Sequence, residues 1–219
     1  AAPQPASDTQ MAATGKGAII FSPEPTFANT QMNLSKVPVT AIKPFLPEPL
    51  KSWSLRGFAE ADLQIQGAWR AMAIKGVARI SGAELKSESF SLQKLDLTTP
   101  FDWVNSSLHA GNVQIQGKAL ALERGAVQFA ADELRFDGGL DSKPGKPLRA
   151  NGKFRLLRGR YATPDGSKMG ENFDLAGHLD MNNGEENTFS LSGSLKIEEG
   201  QVLWGKFFGD FKAQQPAIE

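Results

Sequence analysis

Two histidines, a scatter of aspartates and no cysteine are what this chain offers for chemistry. Nucleophilic or acid–base catalysis needs a nucleophile beside a base, or a pair of carboxylates, and a metal site needs ligands at fixed spacing. His109 and His178 stand alone at turn or strand positions, with no ligand-spaced partner, and read as ordinary surface histidines. Asp62, Asp96, Asp102, Asp132 and Asp137 occur singly on strands or at turns, where aspartate accepts backbone hydrogen bonds. No Gly-x-Ser-x-Gly elbow, P-loop or dinucleotide fingerprint occurs, and the glycine strings open no helix. The absence of cysteine removes disulfides, thiolate nucleophiles and zinc ribbons. The expectation is a protein that is not an enzyme and uses neither metal nor cofactor. Its function then has to lie in a surface.

Composition narrows the partners of that surface. The 24 basic and 24 acidic residues cancel, which removes the long-range positive field that nucleic-acid binding needs. The 219 residues suffice to bury a sizeable apolar layer without staples. Apolar runs such as Ala18 to Phe21 fall far short of the roughly 20 residues that span a bilayer. The opening residues lack the basic and apolar regions of a signal peptide, and the chain reads as a processed or excised piece.

The elements follow from glycine, proline and alternation. Residues 1–16 carry almost no large apolar side chain and are expected to form a flexible lead-in, with a single domain over 17–211 and a tail at 212–219. Ala18 to Phe21 and Phe27 to Leu34 read as two strands separated by Ser22-Pro23-Glu24-Pro25. Prolines 38, 44, 47 and 49 forbid a long helix or a central strand, so one or two short helical turns near 39–53 are expected to plug an end of the β structure. Residues 17–54 thus form an opening hairpin and plug, and 55–211 form repeated hairpins.

Within 55–211 the strings repeat. Leu63-Gln-Ile-Gln-Gly67 returns as Val113-Gln-Ile-Gln-Gly117, and Gly152-Lys-Phe-Arg-Leu-Leu-Arg-Gly159 returns as Gly193-Ser-Leu-Lys-Ile-Glu-Glu-Gly200. The unit reads as strand, glycine turn, strand, with corners at Arg158-Gly159, Asp165-Gly166, Asn183-Gly184 and Glu199-Gly200. The predicted fold is all-β: an antiparallel meander of glycine-turned hairpins in a curved, folded-over sheet.

Residues 143–168 are rich in Lys and Arg, whereas 169–189 hold Glu171, Asp174, Asp180, Glu185 and Glu186 with no Lys or Arg. Antiparallel neighbours would set these charges against each other on the wet face, and no aromatics interleave for base stacking. No nucleic-acid partner is expected; contact of the basic stretch with lipid headgroups at a rim stays open. Trp53, Trp69, Trp103 and Trp204 are dispersed, reading as core or rim anchors before carbohydrate platforms.

The inward phase of the alternation gives the candidate binding face: Leu63, Ile65, Ile80, Leu95, Leu97, Val113, Ile115, Leu120, Leu122, Val127, Phe129, Leu134, Phe136, Phe154, Leu156, Phe173, Leu175, Leu191, Leu195 and Ile197. Such a stripe is either the sealed core of a closed β-sandwich, serving as a structural or protein-interaction module, or the wall of an open groove for acyl chains. Periodicity does not separate the two.

The order of features resembles the AsmA-like superfamily of envelope proteins, with its translocation-and-assembly-module and repeating β-groove lipid-transfer members. The residues that carry it are Leu34 to Pro47, similar to the proline-bounded plug, then Leu55 to Gly67, and Gly193 to Val202, similar to the recurring hairpin. The resemblance implies a β-taco groove holding phospholipid acyl chains in the periplasm, within a larger protein anchored in the inner membrane. It also implies membrane contact through that anchor or at the groove ends. In the alternative reading, the structural or protein-interaction module, exposed strand edges would pair with strands of envelope partners. It carries over no catalytic residue.

Overall fold

Short-period alternation with glycine and asparagine between segments offers no helical face to bury. The computed structural model is accordingly one antiparallel sheet, describing residues 11–21, 23–41, 52–125, 127–144, 149–183 and 189–211. Its strands are β1 (Ala12–Phe21), β2 (Pro25–Pro38), β3 (Ser54–Ala68), β4 (Ala73–Lys86), β5 (Phe90–Val104), β6 (Ser107–Arg124), β7 (Val127–Ser142), β8 (Arg149–Ala162), β9 (Lys168–Asn183), β10 (Phe189–Trp204) and β11 (Phe207–Phe211). Spatial order equals chain order from β1 to β11, the expected all-β meander. The two outermost strands do not meet, so the sheet is open, and the described strands all belong to it. The closed two-sheet sandwich is not the architecture.

β1 begins at Ala12, inside the stretch whose composition suggested a lead-in. Residues 1–10 and the 212–219 tail lie outside the described residues. Of the turns expected near 39–53, a 3-10 turn forms at 39–41, and 42–51 fall outside the described residues. Val39 is buried, and the Trp53 ring lies 4.8 Å from that of Phe90, so both flanks of the segment pack at one end of the sheet.

The strands are longer than glycine-bounded hairpins would make them, and this corrects two of the expected corners. Arg158-Gly159 and Glu199-Gly200 lie inside β8 and β10. Asp165-Gly166 is a true corner, with Gly166 at φ 66° in the β8–β9 turn. Gly184 is outside the described residues. Other corners have no glycine: Asn105 and Ser106, at φ 49° and 61°, close the β5–β6 hairpin. Positive φ at both central residues is what a two-residue hairpin matched to strand twist requires.

What the in-strand residues do instead is bend the sheet. Gly57, Gly82, Lys94, Ala119, Arg158, Asn172 and Gly200 all have positive φ, and cross-strand register places them along one line from β3 to β10, with Asp132 on the line in β7. Most lie at register shifts, the mark of β-bulges, which bend a strand and raise its twist. At this line the apolar spacing lengthens from two residues to three, as in Phe154, Leu156, Gly159 and Tyr161. Aspartates satisfy the exposed bulge amides: Gly82 N donates to Asp96 Oδ1 at 2.8 Å, and Arg158 N to Asp174 Oδ1 at 2.9 Å. The line is a crease. Along it sits the buried cluster of Ala83, Leu92, Leu95, Leu120 and Ala131.

Pro100 occupies the middle of β5, where a missing N–H would break a ladder. It pairs with Val77 on the β4 side, and on the β6 side the register breaks between Thr98 and Asp102. The proline falls where that ladder is already interrupted.

Candidate functional site

Away from the crease the sheet faces stay apart and the inward stripe lines a trough. Its cavity volume is about 970 Å³ and its accessible wall is entirely apolar. The wall is built by register: Leu97, Ile115, Phe136 and Phe154 are successive direct neighbours on β5 to β8, and Ile80 on β4 continues the row at the crease. Leu134, Leu156, Leu175 and Ile197 form a second row across β7 to β10. Directly opposed side chains stand about 5 Å apart, so each row forms a continuous apolar strip perpendicular to the strands.

Eight of the residues singled out from the sequence line this trough: Leu97, Val113, Ile115, Leu120, Leu134, Phe136, Phe154 and Leu156. Leu95 and Phe173 are buried at the crease, and Ile80 and Phe129 pack around its cluster. Leu63 and Ile65 share the inward face on β3, but Ile65 is buried and the trough wall does not include them. Leu175 and Ile197 are half-buried on the second row. Leu122 and Val127 lie beyond the crease and are 40% and 42% exposed, so they do not belong to the trough. Leu191 and Leu195 lie on β10, and their side chains are outside the described residues.

The trough also takes residues that the stripe omitted. Phe101 follows Pro100, which disguised the strand. Leu179 and Met181 continue the β9 alternation past Leu175 and were legible in the sequence. Leu108, Ala110 and Leu140 extend the wall toward the β5–β6 and β7–β8 ends. No helix among the described residues is long and apolar enough to cross a membrane.

The outer face carries the charge, paired across strands. Asp62 accepts from Arg79 Nη1 at 2.7 Å and Asn33 Nδ2 at 2.6 Å, and these bonds, Arg79 foremost, hold its carboxyl below the usual range. Asp132 accepts from Arg158 Nε at 2.7 Å, which lowers its pKa in the same way. Arg155 Nη2 meets Glu198 Oε2 at 2.9 Å and Asp174 Oδ2 at 3.7 Å, joining β8 to β9 and β10. The Glu198 contact is an ion pair whose angles fall short of a hydrogen bond. The basic stretch is therefore neutralised in part by β9, as expected, and in part by β7 and β10. A hollow of about 640 Å³ also lies over β1 to β4, between the Thr14–Asn33–Asp62 and Lys16–Gln31–Gln64–Lys75 rows.

The histidines are not alone. His109 Nδ1 lies 2.6 Å from Asp141 Oδ1, its direct β7 neighbour, and His178 Nε2 lies 3.2 Å from Asp180 Oδ2, two residues along β9. Both pairs are exposed, and register, invisible in the linear sequence, brings Asp141 to His109. Among the described residues no group of three or more His, Asp or Glu could hold a metal ion. The chain matches no family model, no curated protein and no solved structure.

Proposed function

We propose that the trough is a noncatalytic binding site for the acyl chains of phospholipid, within a periplasmic, bridge-like lipid-transfer or envelope-biogenesis protein. The observation that carries this reading is the combination of an open sheet with a trough of about 970 Å³ whose wall exposes no polar atom. A small-molecule site ordinarily pairs apolar walls with a few polar groups that fix orientation. A wall without them suits a ligand that is itself featureless hydrocarbon, where each methylene withdrawn from water contributes about 0.8 kcal/mol. The headgroup stays in solvent at the trough mouth, and the lipid slides along the apolar rows without meeting a specific contact that would hold it. The envelope setting and an inner-membrane anchor elsewhere in a longer protein rest on the resemblance of Leu34–Pro47, Leu55–Gly67 and Gly193–Val202 to the AsmA-like superfamily.

The test is extraction of the purified protein with organic solvent and mass spectrometry of the extract. Co-purified phospholipid is expected, and its loss in a folded Ile115→Glu variant, since Ile115 sits mid-row in the wall. A lipid-free wild-type protein that also fails to take up a fluorescent fatty acid would overturn the reading.

A further inference from the structure

A sheet whose order runs straight from β1 to β11 ends in two edges, and the two are built differently. Among the described residues β11 has five positions and pairs with only the last five of the sixteen residues of β10, Gly200–Trp204. β1 has ten, all exposed, so its outer backbone donors and acceptors form a template for another strand. Edges that must stay unpaired are blunted by prolines or several charges. β1 has no proline, and its one charge is Lys16.

The side chains of β1 are graded along the strand. On the trough face, shared through Gly15, Met32 and Leu63, it carries Ala13, Gly15 and Gly17 at one end and Ile19 and Phe21 at the other. Ile19 is 48% and Phe21 76% exposed. On the outer face Thr14 stands at the small end and Ile20 at the large. A strand graded from small to large complements itself when it is reversed.

We propose that β1 is a homodimer interface, in which two copies of this chain pair β1 with β1 antiparallel about a two-fold axis through Gly17. Ile19 then lies opposite Gly15 of the second copy, Phe21 opposite its Ala13 and Ile20 opposite its Thr14. Lys16 meets Ala18, so no like charges face each other. The axis is normal to the sheet, which keeps the apolar faces of both copies on one side. Pairing β1 with β11 of another copy suits the edges less well. Eleven is odd, so β1 and β11 run the same way, and head-to-tail stacking with a common apolar face would set ten residues parallel to five. An interface that contacts the same patch on both copies closes at two subunits.

Because the chain has no cysteine, introduced thiols report the register directly. Sedimentation velocity over a concentration series is expected to show a monomer–dimer equilibrium. The Lys16→Cys/Ala18→Cys double variant should oxidise to a covalent dimer, while Lys16→Cys alone should not. Ile19→Lys, at an exposed position that leaves folding intact by circular dichroism, should raise the dimer dissociation constant on the order of tenfold. A monomer at every concentration would overturn the proposal, as would a dimer indifferent to Ile19→Lys. So would cross-linking of Lys16→Cys alone as efficient as that of the double variant. Protection of the β1 amides from hydrogen exchange in a monomer would overturn it too, because a different strand would then cover this edge.

Discussion

The Phe173 ring occupies the space that a side chain at Gly159 would need: the two residues are direct neighbours on β9 and β8, and a Cβ built on Gly159 collides with the ring's Cε2 and Cζ. Phe154 stands over Gly177 in the same way, with its Cε1 2.7 Å from the Cβ position. In both cases a glycine mid-strand leaves room for an aromatic ring to lie over its backbone, which closes the gap and pins the register.

Gly159→Ala is therefore expected to destabilise the sheet by roughly 1–3 kcal/mol through overpacking. Phe173→Ala should cost more, about 3–5 kcal/mol, because Phe173 is 3% exposed and its ring also meets Phe129 and Tyr161. Urea denaturation midpoints at constant slope would measure both.

The bulge carboxylates separate from the surface ion pairs. Asp174→Ala removes the acceptor of the Arg158 amide, and a loss of about 1 kcal/mol is expected. Arg158→Ala removes the exposed guanidinium pairing with Asp132 and should have the smaller effect, diminishing further with salt. The comparison is read from denaturation at low and high ionic strength.

The trough and the region beyond the crease should respond differently to charge. Leu134→Glu places a carboxylate in the apolar wall and is expected to abolish uptake of a fluorescent fatty acid, whereas Leu122→Glu, at a 40% exposed position outside it, should leave uptake unchanged. Fluorescence titration of the two variants, each first shown to be folded, decides this.

Acid should loosen the β8–β9 turn late. Thr163 Oγ1 and the Ser167 hydroxyl and amide donate to Asp165, holding its pKa at about 2 against an ordinary 3.8. A depressed folded pKa means that the contribution is complete above the unfolded value and disappears as pH falls through the folded one. Wild type and Asp165→Asn should thus differ by a constant amount above pH 3.8 and converge as pH drops toward about 2. Parallel acid unfolding curves across that range would refute the assignment.

The alternation that defines the trough was legible because a side-chain period of two survives along each strand, and Leu97, Ile115, Phe136 and Phe154 could be read from it directly. Strand length was not. Gly152 and Gly159 are seven apart, which reads as two corners of a hairpin, yet both lie on one face of β8, with Phe154 and Leu156 between them at spacings of two, two and three. Glycine marks both positive φ and the missing Cβ, and local sequence does not distinguish a turn from a bulge or from room for a ring. The His109–Asp141 contact and the register that spares Pro100 depend on partners about 30 and 10 residues away, which only strand pairing reveals.

Because every described strand pairs only with its neighbours in the chain, no pairing among the described residues has to wait for a distant segment. Loop closure at each step costs little entropy, so folding can proceed as a zipper, one hairpin at a time, during synthesis. Stability then accumulates as a sum of neighbouring interfaces, and a cut between two strands leaves both fragments with most of their contacts. Such an architecture lengthens or shortens by whole hairpins without a new core having to be invented.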